Sequence, residues 1–201
     1  MRFLDPDGRI INTVISEFRM NVGPWSDSFI NHSDDKMYKY GCAVTAMANI
    51  ITTERTNQNG AQRDWLNVNP GIVNSNSGNF TGEKVDSLSF ANTAARNGMT
   101  ANKYDGKDAY SSLLKLNDSK DSAYAIAQVP YTTANGKTGK HWVNVNGQLQ
   151  KDESGTQWIS VGQTSQNDGK GRADNDSVNW KYEKGKSYVR ADSITRLITV
   201  K

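Results

Sequence analysis

The chain is poor in the residues that build metal and disulfide sites. Its 201 residues include one cysteine, Cys42, and two histidines, His32 and His141. A single cysteine excludes an internal disulfide framework and any cysteine-rich zinc site. No apolar run approaches the roughly 20 residues that a membrane-spanning helix needs, so no membrane span is expected. Charge of one sign is also lacking: 24 Lys and Arg stand against 21 Asp and Glu. The basic residues are scattered, whereas a nucleic-acid binder shows a patch or stripe, so nucleic acid is not an expected partner. The opening Met1-Arg2-Phe3-Leu4-Asp5-Pro6-Asp7 has no apolar h-region, and no signal peptide is read there. The compartment stays open, with a secreted, cell-surface or phage-associated setting favoured.

Polar residues dominate what is present. Asn, Ser, Thr and Gly supply 71 of the 201 residues, and the mean hydropathy is −0.73. Eighteen aromatic residues still provide large side chains for a core, so the composition is not that of a disordered chain. The length fits one domain over residues 1–201, with residues 1–17 as a possible N-terminal arm.

Periodicity divides the chain. Val44, Met47, Ala48 and Ile51 fall at i, i+3, i+4 and i+7, which predicts a helix starting near Cys42 with one apolar face. Gly41 before it allows a sharp turn into that helix. Asn and Gly at 57–60 end it. Residues 26–40 and 61–82 read as irregular. A second helix is expected over 83–97, stopped by Asn97-Gly98. A short strand follows at 99–104, then a third helix capped by Asp108 and running to Leu116. The second half changes period. Strands are expected at 123–129, 140–148 and 157–161, the last two joined by a hairpin turn at 152–155. Tyr188, Val189 and residues 194–200 read as closing strands. Helices first and antiparallel strands later make an α+β fold.

Cys42 and His141 are the residues with chemistry to offer. The thiolate is the nucleophilic form, and a helix N-terminus favours it. His141, at the start of a strand, is suited to take the thiol proton and return it to a leaving amine. His32 lies among Asn31, Ser33, Asp34 and Asp35 and reads as solvent-facing rather than as a metal ligand. Asp5-Pro6-Asp7-Gly8 opens like a calcium loop, but the twelfth position is Ser16 rather than Glu, so an EF-hand is rejected. The loop holding Asp168, Asp174 and Asp176 reads as solvated. No metal and no cofactor is expected.

Tyr40-Gly41-Cys42-Ala43-Val44-Thr45-Ala46-Met47-Ala48, followed by Lys140-His141-Trp142-Val143-Asn144-Val145-Asn146-Gly147, resembles the papain-like cysteine peptidases. Within them it is most similar to the bacteriocin-leader-processing (C39-like) branch. The resemblance spans about residues 18–165. It implies an N-terminal helical half whose nucleophile helix packs on a C-terminal antiparallel sheet. It further implies Cys42 as nucleophile, His141 as base and acid, and Trp142 as a shield beside the histidine. Two positions depart from the pattern. The family's oxyanion-hole Gln corresponds to Met20, leaving Asn21 as the nearest amide. The family's Asp or Asn that orients the histidine corresponds to Gln163, with Asn167 and Asp168 as alternatives. The implied function is a cysteine peptidase or amidase. Its substrates would be a peptide or protein, with peptidoglycan peptide stems among the candidates. The rival is an inactive binding module on the same fold.

Overall fold

The computed structural model describes residues 14, 18–58, 67–82, 88–118, 122–133, 135–162 and 178–201. Among them the chain order is α1 (Met37–Tyr40), α2 (Cys42–Gln58), α3 (Pro70–Ser75), α4 (Phe90–Ala95), β1 (Ala101–Asp105) and α5 (Lys107–Asp118). Then follow β2 (Tyr124–Thr132), β3 (Thr138–Lys151), β4 (Gln157–Gly162), β5 (Trp180–Glu183), β6 (Lys186–Arg190) and β7 (Arg196–Val200). The strands form one sheet in the order β1-β7-β2-β3-β4-β6-β5, and every pairing is antiparallel. The fold is α+β, with helices dominating the first half and strands the second.

Alternation along the strands gives the sheet two apolar faces. Tyr124, Ile126, Ile198 and Val200 join the core around α2, with Met47, Ile50 and Ile51. Ala125, Ala127, Val143, Val145, Ile159, Val189 and Leu197 form the other core with Leu113 of α5 and Trp180. A sheet covered by apolar groups on both sides explains why β2 reads as a continuous apolar run.

α2 departs from the single apolar face that its periodicity predicts. Twelve of its 17 residues are buried, and these include Thr45, Asn49, Thr52, Thr53 and Thr56. The helix is enclosed, and its polar side is satisfied only in part: the buried Thr45 and Thr56 hydroxyls make no hydrogen bond among the described residues. Thr53 Oγ1 donates to Asn49 O at 2.7 Å, and Thr52 Oγ1 to Val68 O at 3.4 Å. Apolar burial is worth about 1.5–3 kcal/mol per large side chain. A buried hydrogen bond adds about 1 kcal/mol net. Per side chain, apolar burial is therefore the larger contribution to holding α2.

Several expectations change. Residues 26–40 are ordered by backbone bonds from Met37 N to Ser28 O and from Tyr38 N to Ser26 O, and they end in α1. α3 lies inside the stretch read as irregular. Asn69 caps it through Ile72 N, and Pro70 opens it. The second helix is only six residues long and starts at Phe90 with Ser89 as its cap. Leu88, expected within it, forms a bridge with Phe80 instead. The stop at Gly98 holds, with φ at +70°. Asp108 lies inside the first turn of α5 rather than capping it. β5 has no counterpart in the sequence reading. The hairpin at 152–155 stands as expected, closed by Asp152 N to Thr156 O at 3.0 Å. Residues 1–13 and 15–17 lie outside the described residues.

Candidate functional site

Cys42 is the first residue of α2 and is 9% exposed. Gly41 separates α1 from α2, and the reason is space rather than an unusual backbone angle, since φ is −74°. A Cβ there would sit 2.6 Å from Met37 O and 2.7 Å from Met37 Cε. Only glycine lets α1 fold this closely against the start of α2. The thiol Sγ lies 3.9 Å from Tyr40 O.

His141 is 2% exposed and stands on β3 opposite Val129. Its ring faces that of Trp180 at 6.5 Å, tilted by 45°. The resemblance puts Trp142 beside this ring; the ring contact found here is with Trp180. Trp142 takes the other pleat and packs on Phe90 at 4.9 Å. Adjacent strand residues point to opposite faces, so sequence neighbours do not share surroundings here.

Two ties fix α2 along β3. Asn144 Nδ2 donates to Ala46 O at 2.9 Å, and Asn49 Nδ2 donates to Asn144 Oδ1 at 3.3 Å. Further along the helix, Tyr124 donates to Glu54 Oε2 at 2.8 Å and accepts from Asn57 Nδ2 at 3.0 Å. Tyr124 precedes Ala125, which pairs with Val145. The helix and β3 therefore run in the same direction. Cys42 lies one turn before Ala46, about 6 Å along the axis. His141 lies three residues before Asn144, about 10 Å along the strand. Both residues belong to the same end of the α2–β3 unit. Trp142 and Asn144 occupy the α2 side of β3, and His141 shares its pleat with Val143 and Val145.

Asn21 is half-buried in a turn where Val22 N donates to Arg19 O. Trp25 pins this turn: its Nε1–H donates to Arg19 O at 2.8 Å, and its ring meets Phe18 edge-on at 5.4 Å. Gly23 is needed there twice over, having φ +114° and a Cβ direction that points into the Trp25 ring at 2.8 Å. Met20, at the position of the family's amide, is buried. Gln163, Asn167 and Asp168 lie outside the described residues, as do Asp174 and Asp176. Gly162, just before Gln163, pairs with Asn144. His32 is exposed.

Sequence reasoning missed Asn49, Asn144 and Trp180. Asn144 reads as one of the polar positions in an alternating strand. Its signal is weak, because an asparagine facing a buried amide looks like one facing water.

Among the described residues, no group of three or more His, Cys, Asp or Glu side chains is placed to hold a metal ion. No helix among them is long and apolar enough to cross a membrane. No protein-family model matches the chain, and neither does any curated protein sequence.

Proposed function

We propose that the protein is a papain-like cysteine peptidase or amidase acting on a peptide or protein, peptidoglycan peptide stems being one candidate class. One observation carries the reading. The only cysteine opens a buried helix, and a nearly fully buried histidine stands at the same end of the strand to which that helix is tied, on the pleat opposite the helix. The Cys42 thiolate attacks the carbonyl carbon, and the His141 imidazolium gives its proton to the leaving amine. Water, deprotonated by His141, then cleaves the thioester, releasing the acid and restoring Cys42. The Cys42 N–H and the Asn21 amide are assigned to the oxyanion. Gln163 is assigned to orient the imidazole, with Asn167 and Asp168 as alternatives.

The test is the rate of Cys42 alkylation by iodoacetamide against pH, in the native chain and in His141→Ala. The native thiol should react well below pH 8, and this low-pH limb should vanish in the variant. An ordinary thiol profile near pH 8.5, unchanged by the substitution, removes the dyad. Once a substrate is found, His141→Ala should lower kcat by about 10²–10⁴-fold.

Two observations favour a second reading, an inactive binding module on the same fold. Met20 puts a buried thioether where the resemblance implies a donor amide. The His141 ring lies beside Trp180, on the pleat opposite Asn144. Under this reading the alkylation profile is that of an ordinary thiol.

A further inference from the structure

We infer that Asn49 and Asn144 are positioning residues, a buried amide pair that registers the three segments carrying Cys42, His141 and Asn21. The inference rests on the peptidase reading above. Both asparagines are fully buried. Each primary amide is donor and acceptor at once, so a pair of them can join more than two segments. Asn144 stands on β3 and reaches α2 through Ala46 O at 2.9 Å. Asn49 stands on α2 and reaches back to Asn144 Oδ1 at 3.3 Å. Asn49 also grips one residue of the third segment from both sides. It accepts from Phe18 N at 3.0 Å and donates to Phe18 O at 3.5 Å.

The connections to the candidate groups are short. Cys42 is four residues from Ala46, His141 three from Asn144, and Asn21 three from Phe18. Asn146 repeats the grip one pleat further on, accepting from Val14 N at 3.0 Å and donating to Val14 O at 3.2 Å. An apolar pair of similar volume would fill the same space but would take these partners from the buried Phe18 and Ala46 backbone groups, so some loss of stability is expected as well. What the amides add is direction, because their bonds are satisfied at one rotation and one translation of α2 over β3. A misplacement of about 1 Å is enough to cost about 100-fold in a reaction that depends on two aligned groups.

The experiment measures the iodoacetamide pH profile of Cys42 in the full chain, in Asn144→Leu and in Asn49→Leu, with thermal unfolding followed in parallel. Both variants should unfold cooperatively yet lose the low-pH limb. Their alkylation rate at low pH should fall about tenfold for each unit by which the thiol pKa rises. A role confined to stability would move the unfolding temperature and leave the profile in place, which overturns the inference while the peptidase reading stands. If the native chain lacks the low-pH limb, that reading fails and the inference fails with it. Should the leucine variants not fold, Asn144→Ser and Asn49→Ser keep a hydroxyl for one bond each. A native profile in both serine variants likewise overturns the inference.

Discussion

At Gly41 the volume of a side chain is already occupied, because a Cβ would lie 2.6 Å from a backbone oxygen of α1. Backbone gives way less easily than a flexible side chain, so Gly41→Ala should destabilise the protein by about 1–3 kcal/mol. A urea unfolding midpoint equal to that of the native chain would show that the α1–α2 junction has slack. The same scale separates Trp142 from Trp180. The first sits beside His141 in the chain and the second beside it in space. Cys42 and its glycine are legible from sequence because the signal is local. The aromatic partner of His141 is not, because it arrives from 39 residues away on another strand.

Among the elements, the β3–β4 hairpin is ordered around one carboxylate. Asp152 accepts from Ser154 Oγ at 2.6 Å, Trp158 Nε1 at 2.8 Å, and the Thr156 and Ser154 amides at 3.0 Å. The Ser154 hydroxyl and then the Trp158 indole are the largest causes that hold its pKa down at about 2, from an unfolded value of 3.8. The carboxylate form is favoured in the folded chain. Its contribution to stability is therefore present above pH 3.8 and is lost as the pH falls through about 2. Between these limits the native chain should lose stability more steeply than Asp152→Asn, as read from urea midpoints at each pH. Identical slopes would mean that the hairpin is held without the charge. This turn was legible from sequence because the Asp, Ser and Gly that close it lie within four residues. α4 was misjudged because apolar spacing over 83–97 continues through Leu88, which the fold uses for a bridge to Phe80.

For the whole molecule, the C-terminal strand is expected over 194–200 but its place inside the sheet is not legible in the sequence. β7 lies between β1 and β2, pairing Val200 with Ala101 on one side and Tyr124 on the other. Two cores thus share one sheet, and damage to either should be felt by both. Ile126→Ala on the α2 side and Leu197→Ala on the α5 side each remove a fully buried side chain. Each should cost about 2–5 kcal/mol. Each should also shift a single unfolding transition seen alike by far-ultraviolet circular dichroism and tryptophan fluorescence. Two separated transitions in either variant would show that the cores unfold independently.

The amino-acid order alone determined what depends on a short window. It set the start of α2 at Cys42, the stop at Gly98, the β3–β4 hairpin, and the change from helical to alternating period. Tertiary structure decided the rest. It buried the polar side of α2 against β3, chose Trp180 over Trp142 for His141, and inserted β7 beside β2. Those choices are made by hydrogen bonds and packing between residues far apart in sequence, such as Asn49 with Asn144 and Val14 with Asn146. Backbone and amide groups present the same donors and acceptors at many positions. Which of them meet is settled only when the apolar faces close around them.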